Sequence, residues 1–575
     1  MHKREVAQLL RAMGALLEIK GEAGFKVRAY DRAARTIERG DFPLLEMATS
    51  GRLSDIPNVG KNLEPKIREL ILTGSSSYLE NLTREVPLSL LDLLKVPGIG
   101  PKTARILYER LGVAGLDDLQ EALETQKVQF LPGMGKKRQD EIAAGLREIR
   151  ENAGSLSLGI ALPVAEDILA SLASKDVSGI LVGELGRGLE TVSALEILLE
   201  LRPEDTPVSL VRRSGIIPVR DGDMLERSWD AAGEKLVFST GLGIPLVFHF
   251  AQKEDFWPRA IWLTGPKEYI ERLVHRGSLR GLCFDSRGLF RDSCRVFVED
   301  EESFFELMDS SRVPPEVRHR EEFLALAEAG ESIHLVGPQD LKGDLHTHTV
   351  WSDGMDSVEA MVIKGITMGY SYMAITDHAT FMKMIGGVTP ENIDAYLEDI
   401  TEVQERHPDF RVLAGVEVDV AKDGSLYLGS DDLARFDLVV ASVHQDISNA
   451  GDLVGRLTKA CENPHVDIIG HPTGRLLGSR PGVTSGLEPV FEAAARCGTM
   501  LEINASPDRI DLPETLVRRA YDLGAGLVVS SDAHGPGTLE NVRYGVVASP
   551  RRAGLPPKGI KNTLKRLPRL LCKFS

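Results

Sequence analysis

Histidines and carboxylates recur at metal-ligand spacing in the last third of the chain. His346 and His348 are separated by one residue, and because strand side chains alternate between two faces, both imidazoles project from the same face. Further histidines and acids end the short apolar runs at residues 375–378, 414–419, 441–444, 468–472 and 529–534. This recurrence predicts a metal centre to which several strands contribute.

The ligand types indicate phosphoester hydrolysis as the chemistry of this centre. Two or three divalent cations would bind phosphate oxygens, lower the pKa of a bridging water and stabilise the leaving alkoxide. Mixed imidazole and carboxylate ligands suit Mn²⁺, Zn²⁺ or Fe²⁺, with Glu417 as the natural bridge between two ions, and the sequence does not fix the metal. Asp377, which precedes His378, either orients that imidazole or caps the following turn.

The elements that must position these side chains are strands separated by helices. Helical periodicity occurs at residues 357–368, 393–406, 487–497 and 514–523, between the apolar runs. A (β/α) barrel brings the carboxyl ends of successive strands to one rim, where such side chains converge on one pocket. The order of the motifs therefore predicts a barrel with the metal centre at that rim.

Residues 341–575 resemble the polymerase and histidinol phosphatase (PHP) domain, a distorted (β/α)7 barrel that holds up to three divalent ions. The resemblance implies nine metal ligands, and all nine positions are filled: His346, His348, Asp353, His378, Glu417, His444, His471, Asp532 and His534. We assign the catalytic roles to His346, Glu417 and Asp532. Arg475 and Arg480, shortly after His471, are predicted to hold DNA, with a plain solvated loop as the alternative.

An apolar-Pro-x-apolar-Gly pattern occurs three times in the first 150 residues, at 56–60, 96–100 and 131–135. A glycine turn that opens a helix offers unpaired N–H groups and the positive end of the helix dipole to a phosphate. The pattern resembles the helix-hairpin-helix element of nucleic-acid enzymes, although a hairpin that only packs helices would look the same. The predicted DNA contacts are Gly60, Lys61, Gly98, Gly100, Lys102, Gly133, Gly135 and Lys136.

Residues 151–320 alternate β-rich runs with helices, and together with the hairpins and residues 263–268 they resemble a bacterial or archaeal family X DNA polymerase. The resemblance implies a palm in which three aspartates hold two Mg²⁺ ions. Here Ala194, Glu196 and Val247 occupy those positions, and Glu184 replaces the serine that would contact the nucleotide phosphate. Since alanine and valine cannot coordinate Mg²⁺ and an added glutamate repels a triphosphate, polymerase activity is predicted to be absent.

Two other details of the resemblance stay open. Lys66 occupies the position at which family X lyase domains place a Schiff-base lysine, but it also lies in an ordinary charged helix. Asp221-Gly222-Asp223 is the only Asp-x-Asp between residues 180 and 250, and its charged, glycine-containing surroundings indicate a turn rather than a palm strand.

Composition and length indicate a multidomain chain. A length of 575 residues exceeds what one core supports. We expect an all-helical domain at 1–150, a palm and thumb at 151–320, a linker at 321–340 and the barrel at 341–575. The net charge of −17 is uneven, because residues 1–150 carry 24 basic and 21 acidic side chains whereas 151–340 carry 20 and 33. The five cysteines are widely spaced, and no run is apolar enough for a membrane span, so a cytoplasmic protein without membrane contact is expected.

Together these features predict a metal-dependent DNA phosphodiesterase of DNA repair. The resemblance implies 3′-5′ exonuclease action, with abasic-site cleavage or removal of 3′ phosphates as further activities, on single-stranded, gapped or damaged DNA. Two alternatives remain: a small-molecule phosphomonoesterase of the histidinol-phosphatase type, and a catalytically silent DNA-binding adaptor. The three hairpins argue against the first, and the complete ligand set argues against the second.

Overall fold

The structure is a computed structural model of the chain. It describes residues 3–22, 24–39, 42–74, 76–94, 96, 98–151, 154–215, 224–230, 233–240, 242–382, 386–445, 447, 450–478 and 480–565. The predicted turn Asp221-Gly222-Asp223 lies outside this set. The chain divides into two compact units, of which the first comprises residues 1–153 with 478–481 and the second comprises 154–477 with 482–575.

The described part of the first unit is helical around one apolar core, as predicted. Its helices are α1 (Lys3–Lys20), α2 (Gly24–Arg39), α3 (Leu44–Ser50), α4 (Glu64–Thr73), α5 (Ser77–Glu85), α6 (Leu90–Leu93), α7 (Pro101–Leu111), α8 (Leu116–Glu124) and α9 (Lys136–Glu151). Helix α1 buries Val6, Leu10 and Met13, which share one face at helical spacing. Helix α7 begins with Pro101 and is followed by Gly112 in the left-handed conformation, the usual start and stop residues.

The first part of the second unit, residues 154–328, is an α/β structure, as predicted. Its elements are β1 (Leu156–Ser157), α10 (Leu158–Ala173), β2 (Gly179–Leu181), α11 (Gly183–Gly186), β3 (Thr191–Val192), β4 (Leu195–Leu201), α12 (Pro207–Ser214), β5 (Met224–Asp230), β6 (Gly233–Phe238), β7 (Leu246–Gln252), α13 (Phe256–Thr264), α14 (Lys267–Ser278), β8 (Leu282–Asp285), β9 (Gly288–Arg291), β10 (Cys294–Arg295), α15 (Glu301–Leu307) and α16 (Glu321–Glu328). The palm sheet has the order β2-β4-β7-β6-β5, and β8, β9 and β10 form a separate antiparallel sheet.

Residues 321–328, within the segment expected to be a linker, form helix α16. Leu324 and Ala327 pack into the apolar cluster of the preceding segment. Arg272 donates hydrogen bonds to the carboxylates of Glu321 and Glu328 at 2.7 and 2.5 Å. These contacts order the acidic helix because its charges are paired and its apolar side is buried.

The last segment is a parallel barrel. Its elements are β11 (Gly343–Asp344), α17 (Val358–Thr367), β12 (Tyr372–Ile375), β13 (His378–Ala379), α18 (Ile393–Arg406), β14 (Arg411–Asp419), α19 (Ser430–Leu433), β15 (Leu438–Ser442), α20 (Ala450–Glu462), β16 (Ile468–Ile469), α21 (Glu488–Cys497), β17 (Met500–Asn504), α22 (Glu514–Asp522), β18 (Gly526–Ser530) and α23 (Val542–Val546). Seven strands follow the order β11-β12-β14-β15-β16-β17-β18, and short β13 pairs with β14. An isolated parallel bridge between Thr347 and Ala533 joins the segments that follow the first and last strands and nearly closes the barrel.

The helices predicted at 357–368, 393–406, 487–497 and 514–523 are confirmed as α17, α18, α21 and α22. In the part of the chain that the structure describes, no helix has the length and apolar character needed to cross a bilayer.

Candidate metal centre

The nine predicted ligand positions meet at the carboxyl ends of the barrel strands. His346, His348 and Asp353 follow β11; His378 opens β13; Glu417 lies in β14; His444 follows β15; His471 follows β16; Asp532 and His534 follow β18. The rim of the barrel therefore brings together residues as far apart in the sequence as His346 and His534, which are separated by most of the last segment.

Glu417 lies in the middle of the cluster and is buried. Its Oε2 is 2.6 Å from Nδ1 of His378 and 3.4 Å from Nε2 of His346. Its Oε1 is 3.4 Å from Nε2 of His444 and 3.2 Å from Nε2 of His471. A carboxylate whose two oxygens face different imidazoles has the arrangement expected of a bridge between two cations.

Two aspartates complete the donor set. Oδ1 of Asp532 is 3.1 Å from Nε2 of His348, and Oδ1 of Asp353 is 3.2 Å from Nε2 of His534. The side chains of Asp353 and His534 are 38% and 29% exposed, whereas His348 is fully buried. Solvent therefore reaches the centre on the side of Asp353 and His534.

The donor atoms fit divalent cations. They form three overlapping groups in which all ligand atoms lie within 4.8 Å of one another: His348 with Asp353, His378 and His534; His346 with His348 and Glu417; His378 with Glu417 and His444. Buried atoms without a hydrogen-bond partner include Nε2 of His346, both ring nitrogens of His348 and Oε2 of Glu417. Each such atom costs about 1–3 kcal/mol when left unpaired, a cost that coordination removes.

The electrostatics of the cluster favour the metal-binding form of its carboxylates and of His348. Burial favours the neutral form of Glu417, but His378 and His346 outweigh it and hold the pKa of this carboxyl well below its usual range. Asp532 is affected in the same way, and its pKa is also held well below the usual range. Burial and the neighbouring imidazoles lower the pKa of His348 to about 3.

At three other histidines the neighbouring carboxylates outweigh burial: they raise the pKa of His346 well above its usual range, that of His444 to about 10 and that of His534 to about 9. Metal binding therefore finds the carboxylates and His348 ready to coordinate and must displace protons from the other three imidazoles.

Two buried carboxylates that the sequence analysis missed accept hydrogen bonds from the ring nitrogens that face away from Glu417. Glu502 on β17 accepts a hydrogen bond from Nδ1 of His346 at 2.7 Å, and Asp419 on β14 accepts one from Nδ1 of His444 at 2.6 Å. Each bond leaves Nε2 directed at Glu417. Both had a signal in the sequence, because Asp419 shares a strand face with Glu417 and Glu502 interrupts an apolar strand.

Asp377 holds the loop that leads to Asp353. Its carboxylate accepts hydrogen bonds from the N–H and hydroxyl of Thr349 at 2.8 and 2.7 Å and from the hydroxyl of Ser352 at 2.6 Å. These bonds fix the turn at residues 349–352. Asp377 therefore positions a carboxylate donor by way of its loop, which differs from both roles that the sequence left open.

The positions at which the sequence predicts replaced polymerase residues lie on the palm sheet or directly beside it. Glu196 on β4 and Val247 on β7 are direct partners across parallel strands, and Ala194 immediately precedes β4. Glu184 accepts hydrogen bonds from the N–H and hydroxyl of Ser193 at 2.7 and 2.8 Å. Of the three metal positions that the resemblance implies, only Glu196 carries a carboxylate.

The hairpin residues predicted to contact DNA are all exposed, and each hairpin precedes a helix, namely α4, α7 or α9. Gly98 and Gly133 have φ of 87° and 76°, the left-handed region that favours glycine. A Cβ added at Gly60, Gly100, Gly133 or Gly135 would meet no atom within 4 Å. The backbone at these turns is therefore open to the close approach of a ligand such as a phosphate.

Comparison with known proteins identifies the family. A helix-hairpin-helix domain model matches residues 1–76, a SAM-like helix-hairpin-helix tandem residues 90–148, a DNA polymerase beta thumb residues 259–319 and a PHP domain residues 344–506. The protein named DNA polymerase/3'-5' exonuclease PolX of Bacillus subtilis (strain 168) is 34% identical over 572 residues, covering 98% of this chain and 97% of that protein. The chain belongs to the family X DNA polymerases that carry a PHP domain.

Other relatives match parts of this family X polymerase. A protein named probable phosphatase, from Thermoanaerobacter sp. (strain X514), is 30% identical over 203 residues, which cover 33% of this chain and 78% of that protein. DNA polymerase lambda of Arabidopsis thaliana is 27% identical over 155 residues, 23% of this chain and 29% of that protein. The family prediction is thus confirmed, and the helix-hairpin-helix and thumb domains of the chain indicate DNA binding.

In this family X polymerase the prediction that Arg475 contacts DNA is corrected. Its buried guanidinium donates hydrogen bonds to Glu190 at 2.7 and 3.3 Å and another to the backbone carbonyl of Ile510. The side chain is used within the protein because the palm segment that carries Glu190 packs against this loop. Arg480 is partly buried, and its contact with DNA stays a prediction.

Proposed function

We propose that this chain is a metal-dependent DNA phosphodiesterase of DNA repair that acts as a 3′-5′ exonuclease on single-stranded, gapped or damaged DNA. The observation that carries the proposal is the complete donor set around Glu417, in which all nine positions bear a ligand side chain. The name of the Bacillus subtilis relative, which includes 3'-5' exonuclease, supports the same reaction. The two helix-hairpin-helix matches and the thumb match support DNA as the substrate.

The chain's own residues have separable roles in this reaction. The nine donors would hold two or three divalent ions, Mn²⁺, Zn²⁺ or Fe²⁺, which when bound supply Lewis-acid activation of the phosphodiester and of the attacking water. Glu417 joins the two imidazole sets, and His346 and Asp532 flank it. Glu502 keeps the proton of His346 on Nδ1, so that the lone pair of Nε2 remains available to a metal ion.

We infer further that DNA polymerase activity is absent. Val247 stands beside Glu196 on the neighbouring strand, where a second carboxylate would be needed to hold a cation. The carboxylate of Glu184 binds the N–H and hydroxyl of Ser193, groups that would otherwise suit a phosphate, and its charge repels a triphosphate.

Abasic-site cleavage and removal of 3′ phosphates are further activities that the same centre would support. A small phosphomonoester as substrate is the alternative that the phosphatase relatives favour, but their likeness covers 33% of this chain and leaves the hairpins without a role. A silent DNA-binding adaptor would tolerate the loss of ligand side chains, and none of the nine is lost.

The decisive experiment uses 5′-labelled single-stranded and gapped DNA with Mn²⁺, with and without deoxynucleotides. We expect a ladder of shortened products, abolished by His346→Ala and unchanged by His334→Ala, which removes an exposed histidine outside the centre. We expect no extension when deoxynucleotides are added. Extension would show that the palm is active, and the absence of any shortening would favour the phosphomonoesterase or the adaptor.

A second candidate function is Schiff-base lyase activity at abasic sites through Lys66. Nζ of Lys66 donates a hydrogen bond to the hydroxyl of Tyr30 at 2.5 Å and lies 3.7 Å from the centroid of the Tyr78 ring. Burial, followed by the charge of Lys26, lowers the pKa of Lys66 and so increases the neutral amine. In the proposed reaction the amine adds to the C1′ aldehyde with loss of water, and loss of a C2′ proton then expels the 3′ phosphate.

Borohydride trapping on abasic DNA tests this second function. We expect a covalent adduct with the wild type and with Lys127→Ala, an exposed lysine of the same unit, and no adduct with Lys66→Ala. An adduct that persists in Lys66→Ala would assign the reaction to another amine.

A further inference from the structure

An exposed aromatic residue, Phe381, lies near a predicted metal ligand in the sequence and is linked to another through hydrogen bonds. Phe381 follows the donor His378 by three residues and is 49% exposed. Its ring packs edge-on against that of Tyr427, with centroids 5.0 Å apart and planes at 89°. Tyr427 in turn packs against the apolar core of the barrel. The pair therefore has one ring anchored in the barrel and one directed into solvent.

Asp419 fixes both rings to the centre. Its carboxylate accepts hydrogen bonds from the hydroxyl of Thr380 at 2.5 Å and from the N–H of Phe381 at 3.0 Å. Its backbone carbonyl accepts the N–H of Tyr427 at 3.0 Å. The other oxygen of the same carboxylate accepts Nδ1 of His444, one of the donors. One residue thus sets the position of a metal donor and of the aromatic pair together.

A ring held in this way suits a planar ligand rather than a phosphate alone. A half-exposed phenylalanine loses part of the free energy that full burial would provide. The hydrogen bond from its N–H to Asp419 keeps its backbone next to a residue that positions a metal ligand. Nucleobases stack on aromatic side chains regardless of sequence, because every base has a π-face.

We propose that Phe381, backed by Tyr427, stacks on the base of the 3′-terminal nucleotide while the phosphodiester of that nucleotide lies at the metal centre. The base must be unpaired to reach the ring, so the substrate of this subsite is a single-stranded 3′ end. The proposal rests on the exonuclease function proposed above and names the part of the substrate that the rim of the barrel recognises.

A cycle of two enzymes and two substrates isolates the stacking. The substrates are single-stranded oligonucleotides that end at the 3′ side in thymidine or in a tetrahydrofuran abasic analogue, cleaved with Mn²⁺. Phe381→Ala should lower kcat/KM for removal of the terminal thymidine roughly 5- to 150-fold, mainly through KM, and should leave removal of the abasic end unchanged. Phe381→Trp should retain most of the activity on thymidine. Ile363→Ala, which truncates a half-exposed apolar side chain on the outer barrel helix α17, is the control and should change the cleavage of neither substrate.

The outcomes separate this inference from the function on which it rests. Equal losses on both substrates would show that Phe381 only supports the fold of the rim, and no loss on either would show that the ring is idle; both results overturn the stacking while the exonuclease stands. A wild type that shortens neither oligonucleotide would overturn the exonuclease and the subsite together.

Discussion

Replacing Glu502 with glutamine should disturb two predicted metal ligands, His346 and His471, at once. Oε1 of Glu502 accepts Nδ1 of His346 at 2.7 Å, and Oε2 accepts the backbone N–H of His471 at 2.6 Å. Glutamine keeps one hydrogen-bond acceptor, its carbonyl oxygen, and places an NH₂ group at the other position. In either orientation of the amide, the NH₂ group therefore faces another hydrogen-bond donor. Either the proton of His346 moves to Nε2, the atom that faces Glu417, or the N–H of His471 loses its partner.

The size of the effect follows from these bonds. Loss of an outer hydrogen-bond partner of a metal ligand typically costs about 10- to 100-fold in metal affinity, and a buried unpaired N–H costs about 1–3 kcal/mol. We therefore expect Glu502→Gln to raise the Kd for Mn²⁺ by that factor in titration calorimetry and to lower the free energy of unfolding in urea by about 1–3 kcal/mol. Glu492→Gln, which changes an exposed residue of α21, should alter neither quantity. Wild-type Mn²⁺ affinity in a folded Glu502→Gln protein would refute the role given to this carboxylate.

Three further predictions concern stability and reactivity. Arg475→Ala removes buried hydrogen bonds and should lower the free energy of unfolding in urea by about 1–3 kcal/mol, and a change below about 0.5 kcal/mol would contradict the buried placement. Burial raises the pKa of the Cys461 thiol to about 12, so a thiol reagent at pH 8 should label exposed Cys283 and Cys294 at once and Cys461 only after unfolding. Mn²⁺ at 100 times its Kd should stabilise the chelator-treated protein by about 2.7 kcal/mol in thermal melts, and most of this gain should disappear in His346→Ala.

The strand-end donors could be predicted from the sequence because each lies in a local motif and the barrel rule brings such motifs to one rim. Their partners could not be predicted in the same way. Glu502 meets His346 across 156 residues, and that contact depends on the order of the strands and on the near closure of the barrel. An acid in an apolar strand signals a buried carboxylate, but the sequence does not say which histidine it meets.

The error at Arg475 has a related cause. A basic, glycine-containing loop at the metal side of a barrel has the same local pattern whether it faces DNA or another part of the chain. The partner, Glu190, lies 285 residues away in the palm, and the guanidinium also binds the carbonyl of Ile510. Burial of a loop arginine is thus decided by packing between distant segments, which charge patterning does not record.

Packing between the palm and the barrel gives the palm a structural role that does not depend on polymerase chemistry. Ile510 and Ala548 of the barrel segment belong to the same apolar cluster as Ile197 and Phe248 of the palm sheet. Arg475, four residues after the donor His471, is held by the palm's Glu190. Substitutions at the polymerase positions leave these contacts intact, whereas removal of the palm would expose the cluster and free a loop that begins at a metal donor. The palm is therefore expected to be constrained by its packing whether or not it catalyses nucleotidyl transfer.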